Sequence, residues 1–138
     1  LDLIQAYRLE MGTGLKNIAG SNLYAYWADK LTAHLQHEIR RTKAKCIVNL
    51  ASEEYAKVIK FKSLELPVIQ PIFQDYSAGK YKVVSFYAKK ARGSMVRYCA
   101  LNQIKKPAEL KSFMEEGYCF SEQESTETNF VFRRKISA

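Results

Sequence analysis

Basic residues are concentrated in one part of this sequence, and they are the side chains best placed to do chemistry. Residues 80–111 contain nine Lys or Arg against one acid, Glu109, so the segment carries a net charge of +8, equal to the formal net charge of all 138 residues. Cations at this density attract polyanions, which predicts binding of nucleic acid or phosphate groups. The structural alternative is a solvated helix face. The segment includes the cluster Lys89, Lys90, Arg92 and Arg97.

The order of elements around this cluster favours phosphate binding. Residues 67–76 and 80–87 are strand-like, and Ser77-Ala78-Gly79 between them has the composition of a short hairpin turn. Residues 88–102 then follow a helical repeat. A helix entered from a strand points its free N–H groups toward the lysines, which favours a bound phosphate. Gly93 costs about 1 kcal/mol in a helix relative to Ala, so close approach of a phosphate or of another backbone would explain it.

A second group of polar residues follows the predicted strand 45–50, where a helix is expected to begin. Ligand groups commonly lie at such strand ends in α/β folds. Asn49, Glu54 and Tyr55, next to a Lys/Arg cluster, could position and protonate a substrate. No His or Cys base accompanies Ser52, and helix capping alone would account for that serine. The enzyme hypothesis therefore remains open but secondary, and we expect no enzymatic function as the main role.

Metal, redox and membrane functions have little support in the sequence. His34 and His37 could form one edge of a metal site, but no third or fourth ligand stands at a readable spacing. The three cysteines are scattered and lie in apolar segments, so neither a disulfide framework nor a thiol sensor is indicated. We predict no metal and no cofactor. No apolar run reaches the ~20 residues of a membrane span, and no signal peptide is evident, so a cytoplasmic protein is expected.

The remaining pattern predicts one domain over residues 1–138 and an α/β fold, with α+β as the variant, built from a mixed sheet and flanking helices. The clearest helix is residues 22–40, where apolar residues recur every four positions and either Ser21 or Asn22 is available as the N-cap. Residues 117–120 and 129–134 are expected to be strands on either side of an acidic, Ser/Thr-rich loop. Because the chain begins at Leu1 and its first residues read as the middle of an element, we expect a fragment.

Five stretches carry a family resemblance. In this order they are YRLEMG (7–12), NLYAYWADKLT (22–32), VNLASEEY (48–55), FYAKKARGSM (86–95) and NFVFRRK (129–135). Together they resemble the bacterial YaaA peroxide stress protein family, and the chain is similar to its C-terminal half. The resemblance implies a role in limiting oxidative damage during peroxide stress, linked to lower free iron. It also implies a helix-hairpin-helix element beside a basic cleft, part of it upstream of Leu1, and binding of double-stranded DNA.

Our leading hypothesis is therefore non-enzymatic binding of double-stranded DNA. Phosphate contacts are assigned to the cluster 89–97, with Arg8 and Lys16 as outlying contacts and Tyr87 as a possible base or sugar contact. Neutralising four phosphates would give a slope of about −3.6 for log K against log salt. The rival hypothesis is an enzyme acting on a nucleotide or nucleic acid, with the same cations holding phosphate. A third is that the patch binds an acidic protein or the missing N-terminal half of the family chain. The oligomeric state is not predicted.

Overall fold

In the computed structural model, residues 10–17 and 20–135 are described, with side chains for all of these except residues 15–17. Strands and helices alternate along this part of the chain. The strands are β1 (Gly14–Asn17), β2 (Gly20–Asn22), β3 (Ile47–Val48), β4 (Val68–Ser77), β5 (Lys80–Lys82), β6 (Cys119–Phe120) and β7 (Asn129–Arg134). The α-helices are α1 (Leu23–Thr42), α2 (Glu53–Ala56) and α3 (Ser85–Leu101). Short 3₁₀ turns lie at Phe61–Leu64, Pro107–Ser112, Glu115–Gly117 and Glu122–Glu124.

The ten-residue strand β4 organises the main sheet. β7 runs parallel to it over residues 70–75, and on its other edge β3 pairs in parallel with Val68 and Ile69. β5 pairs antiparallel with residues 75–77 of the same edge, and β6 pairs antiparallel with β7. The sheet is therefore mixed, as the α/β prediction requires. Parallel neighbours need crossover connections, and these place helical segments against the sheet.

Pro71 determines where the edge of β4 is left open. The Gln70 N–H points to β7, where it donates to the Thr128 carbonyl, so the nitrogen of Pro71 faces the other edge. β3 has already left that edge, because its last contact is the Asn49 N–H bonding to the Ile69 carbonyl. A proline without an N–H is tolerated there because no ladder hydrogen bond is lost. A gap remains between the β3 and β5 pairings, and it becomes part of the site described below.

The hairpin preceding α3 forms as predicted, but its second strand is shorter. Ala78 and Gly79 have φ of 51° and 82°, the positive values that a type I′ turn needs at both central positions. β5 ends at Lys82, whereas residues 80–87 were expected to be extended. Ser85 already begins α3. The aromatic residues Phe86 and Tyr87, which favour strands intrinsically, lie in its first turn, because packing of the following residues on the sheet outweighs that preference.

The core lies between α3 and the sheet. Ala88, Ala91 and Met95, which are 0–2% exposed, are spaced three and four apart and face a cluster of aromatic side chains. Small residues at the first two positions allow the helix to approach the strands closely. Phe73 occupies the centre of that cluster, and ring contacts at centroid distances of 5.2–5.9 Å join it to Phe113, Tyr118 and Phe132. Full burial of one such ring contributes about 1.5–3 kcal/mol.

The long helix α1 packs outside this core. It begins where predicted, because the Asn22 side chain accepts a hydrogen bond from the Ala25 N–H at 2.9 Å. Thr32 is its buried residue, and the Thr32 hydroxyl accepts from the Lys60 N–H at 3.1 Å. The apolar side chains of α1 are otherwise only partly covered. Among the described residues, no helix is both long enough and apolar enough to cross a membrane.

Candidate phosphate-binding site

Helix α3 presents two stripes of cations. At about 100° per residue, Lys89, Arg92 and Val96 follow one another along one flank, starting from Ser85 in the first turn. Lys90 and Arg97 lie on a second stripe, about 100° further around the helix. Val84 occupies the N-cap without a side-chain hydrogen bond, so among the described residues no side chain caps the N–H groups of the first turn.

Lys89 and Arg92 face the loop between β3 and α2 across a cleft of about 580 Å³. Ser52, Glu54 and Tyr55 line the opposite wall. Neither cation has an ion-pair partner in the described part of the chain, so their charges are available to a ligand. Two of the four predicted cations therefore meet two of the predicted enzyme-like residues, Glu54 and Tyr55, in one cleft, although about 35 residues of sequence separate them. We call this cleft the basic compartment.

The β3–α2 loop is held in place by hydrogen bonds. Asn49 Nδ2 donates to Gln70 Oε1 at 2.7 Å, Gln70 Nε2 donates to the Asn49 carbonyl at 3.1 Å, and Asn49 Oδ1 accepts from the Ala51 N–H. The Tyr24 hydroxyl donates to the Glu54 carbonyl at 2.9 Å. Glu54 Oε1 also lies 3.5 Å from the Met11 N–H. Asn49 is thus a loop anchor, and it lines a neighbouring pocket rather than the basic compartment.

Ser52 occupies the N-cap of α2, but its side chain makes no capping hydrogen bond. Its Oγ exposes less than 1 Å² and has no partner within the described structure. Capping, the structural explanation given by the sequence, therefore does not account for this hydroxyl. An unsatisfied buried hydroxyl costs about 1–3 kcal/mol. Such a group in a cleft calls for a functional explanation.

Gly93 also lines the basic compartment. A Cβ placed on it would meet no described atom within 4 Å. Close approach of another backbone, one of the two explanations suggested by the sequence, is therefore wrong for the described part of the chain. Close approach of a phosphate to Gly93, the other explanation, stays a prediction.

The remaining predicted contacts lie elsewhere. Lys90 Nζ is 3.6 Å from Glu116 Oε2, on the flank away from the basic compartment, whereas Arg97 is exposed without an ion-pair partner in the described structure. The Tyr87 ring has the Arg134 guanidinium 5.0 Å from its centroid. Arg8 lies outside the described residues. For Lys16 only the backbone is described, as part of β1.

The sequence reasoning missed a buried ionic network beside α3. Asp75 is 2% exposed; its Oδ1 accepts from Arg134 Nε at 2.7 Å and its Oδ2 accepts from the Tyr118 hydroxyl at 2.9 Å. Glu116 accepts from Ser94 Oγ at 2.7 Å and connects the network to the helix. Burial, followed by the bond to Asp75, raises the pKa of Tyr118 well above its usual range. An arginine in a short apolar strand such as NFVFRR was the one available sequence signal.

No group of three or more His, Cys, Asp or Glu side chains able to hold a metal occurs among the described residues. Glu38, next to His34 and His37 in sequence, is held by Arg41, whose hydrogen bonds lower the pKa of that carboxyl.

Comparison with known proteins identifies the family. A sequence model described as "Peroxide stress protein YaaA" matches residues 1–124. A UPF0246 protein of Janthinobacterium sp. is 54% identical over 136 residues, covering 99% of this chain and 53% of the relative. A UPF0246 protein of Hahella chejuensis is 51% identical over 134 residues, covering 97% of this chain and 52% of the relative. The chain spans about half the length of these relatives, and it belongs to the YaaA family of peroxide stress proteins.

Proposed function

We propose that this peroxide stress protein binds double-stranded DNA through the basic surface of α3 and thereby helps to limit iron-dependent oxidative damage. One observation carries the proposal. Of the nine cations in residues 80–111, only Lys90 and Lys111 have ion pairs within the described structure, at 3.6 Å to Glu116 and Glu122. The segment therefore keeps seven of its nine cations for an external partner, and phosphate backbones are the partner that such a surface attracts.

The arrangement on α3 suits backbone contact more than base reading. Lys89 and Arg97 are exposed and Arg92 is half-buried. The three side chains are spread over more than a quarter turn of α3, so they can reach successive phosphates along its surface. Point charges on phosphates carry no sequence information, and binding should be independent of sequence. Each neutralised phosphate contributes about −0.9 to the slope of log K against log salt.

The test is a salt series of duplex binding followed by fluorescence anisotropy. The double variant Lys89→Glu/Arg92→Glu should bind a labelled duplex far more weakly than the unchanged chain. Neutralisation of both residues by Lys89→Met/Arg92→Met should make the slope shallower by about 1.8, the share of two phosphates. Lys45→Glu/Lys62→Glu is the matched control for the charge reversal, because both lysines are exposed, lie outside residues 80–111 and lack ion pairs in the described structure. Equal affinity of the Lys89/Arg92 reversal variant and the control would refute the proposal.

The Janthinobacterium relative should be measured in parallel, because it contains about twice the length of this chain. Duplex binding by the relative but not by the chain would instead indicate that the basic surface binds the other half of the family protein. Protection from damage can be measured as plasmid nicking by ferrous iron and peroxide. The Lys89→Glu/Arg92→Glu variant should lose the protection that the unchanged chain gives.

A second function is favoured by the convergence in the basic compartment. Glu54 and Tyr55 face Lys89 and Arg92 there, which is the arrangement of an enzyme that holds a phosphate with cations and transfers a proton from a nearby acid. We propose it as the alternative: an enzyme acting on a nucleotide or nucleic acid. Nucleoside mono- and triphosphates and duplex DNA would be incubated with the chain and separated chromatographically. A product lost in Glu54→Gln supports this function, and unchanged substrates throughout contradict it.

A further inference from the structure

Arg92 lies between two pockets, not one. On one side is the basic compartment of about 580 Å³, and on the other is a pocket of about 480 Å³ that extends along the open edge of β4. We call the second pocket the apolar compartment. It exists because β3 has left this edge of β4 before Pro71 and β5 pairs with it only from Asp75 onward. Arg92 lines both compartments, so a single ligand could contact it from either side.

The basic compartment has the groups that a phosphate requires. Lys89 and Arg92 supply cations that have no ion-pair partner among the residues the structure describes, and hydroxyls come from Ser52, Tyr55 and Ser85. The Ser52 Oγ is buried at this wall and has no hydrogen-bond partner in the described part of the chain. Rotation about the single χ1 of a serine can turn its hydroxyl toward the cleft, where a phosphate oxygen would accept its hydrogen bond. Glu54 contributes one opposing charge, so the net charge of the three ionic groups suits a singly or doubly charged anion better than a polyphosphate.

The apolar compartment has the groups that a planar heterocycle requires. Pro71, Phe73 and Val83 provide apolar contacts, and the side-chain amides of Asn49 and Gln70 provide polar ones. Glu53 and Lys57 also line this pocket, and they form an ion pair with each other at 3.0 Å. These amides bond to each other, yet Asn49 Nδ2 retains a second N–H and Gln70 Oε1 a second lone pair. One donor and one acceptor at fixed positions can recognise the edge of a base. Apolar walls with a few placed polar groups are typical of sites for small molecules.

We propose that the two compartments together bind one nucleoside monophosphate unit, with its phosphate between Lys89 and Arg92 and its base beside Asn49 and Gln70. The unit could come from a free nucleotide or from a nucleotide within a DNA strand, and both share this chemistry. The inference rests on the proposed function in one respect, because Lys89 and Arg92 contact phosphate in both. It goes beyond that function because it assigns a site for the base, which backbone binding does not need.

Two exposed valines allow a matched test. Val83 is 54% exposed and lines the apolar compartment, whereas Val96 is 55% exposed and lines the basic one. A tryptophan at either position would fill its own compartment without disturbing the core and without changing any charge. Titration calorimetry with inorganic phosphate, a nucleoside and the matching deoxynucleoside monophosphate reports on each compartment separately. A short single-stranded oligonucleotide as competitor distinguishes the free nucleotide from a unit within DNA.

The unchanged chain should bind the monophosphate more tightly than either of its parts. Val96→Trp should weaken binding of both phosphate and monophosphate by about tenfold, whereas Val83→Trp should weaken the monophosphate by about tenfold and leave phosphate unchanged. The inference is overturned if both variants bind the monophosphate as tightly as the unchanged chain does. It is also overturned if the unchanged chain does not bind the monophosphate. If the duplex still binds in a salt-dependent way, the DNA proposal survives that failure. Binding of the monophosphate without binding of the duplex would support the nucleotide site and refute the DNA proposal.

Discussion

Replacing Arg134 by Met should destabilise the protein far more than the same change at the neighbouring Arg133. Arg134 is 12% exposed at its side chain and is the cationic partner of the buried Asp75, whose side chain is 3% exposed. Its Nε donates to Asp75 Oδ1 at 2.7 Å, and Nη2 lies at 2.7 Å from the same oxygen as an ion pair without hydrogen-bond geometry. Methionine keeps much of the side-chain volume but removes the charge. Among the side chains described, Asp75 would then keep only the Tyr118 hydroxyl as a partner.

The magnitude follows from burial. Removing one partner of a buried ion pair leaves an uncompensated charge and costs about 3–5 kcal/mol. Arg133 is more accessible, with 26% of its side chain exposed; it bonds to Gln74 at 2.9 Å and pairs with Glu124 at 3.0 Å. A half-exposed pair of this kind contributes about 1 kcal/mol or less. Arg133→Met is therefore a control that lies on the same strand and makes the same chemical change.

Urea unfolding followed by circular dichroism measures both variants. With a slope of about 2 kcal/mol per molar urea, the Arg134→Met midpoint should fall by about 2 M and the Arg133→Met midpoint by about 0.5 M or less. Equal midpoints for the two variants would show that the Asp75 carboxylate is compensated by other groups, and the reasoning from burial would fail. A loss of slope rather than of midpoint would point to an altered unfolded state instead.

Four further outcomes are expected. Tyr118→Phe should make the loss of stability at alkaline pH less steep. The raised pKa of Tyr118 gives a contribution to the free energy of unfolding that is complete below its ordinary pKa of 10.0 and disappears as pH rises through the folded-state pKa. Identical pH profiles of the two proteins would contradict this. Ala78→Asn should stabilise the hairpin by about 0.5–1 kcal/mol in urea unfolding, because Asn tolerates positive φ better than Ala does. Gly93→Ala should stabilise α3 by about 1 kcal/mol, since its Cβ meets open space, and a simultaneous loss of phosphate affinity would indicate that the anion lies against the glycine. Iodoacetamide should label the exposed Cys119 well before Cys99, because burial raises the pKa of the Cys99 thiol; equal rates would refute this.

The elements that sequence patterns predicted well are those with long, regular periodicity. α1 is capped by Asn22, one of the two predicted N-caps, and the helical repeat of α3 identifies the residues that pack on the sheet. The boundary between β5 and α3 was wrong because aromatic residues there read equally well as a strand. Phe86 is in fact 74% exposed in the first turn of α3. Local preference cannot show that the core is already filled by Phe73 and its neighbours.

The candidate site could be predicted only in part, for a different reason. The basic and polar groups were each identified from composition, but whether they meet depends on the crossover from β3 to β4 and on the packing of α3. The Asp75–Arg134 pair is harder still, because it follows from the parallel register of β4 and β7, which places these residues directly opposite each other. No signal within either strand specifies the register between strands that are 59 residues apart.

Helix α3 carries Lys90, which is paired with Glu116, and the cations Lys89 and Arg92 on different flanks. Glu116 faces the side of the helix that carries Lys90 and Ser94, and the same carboxylate lies 3.8 Å from Arg134. No acid in the described structure performs this role for Lys89 or Arg92. Internal pairing therefore fixes the helix to the sheet without neutralising the flank that lines the basic compartment. A helix held only by its apolar residues could rotate slightly at little cost, and Lys89 and Arg92 would then shift relative to the opposite wall of the cleft. The Glu116 contacts oppose that rotation, so the ionic network helps to hold α3 in the orientation that places Lys89 and Arg92 at the cleft.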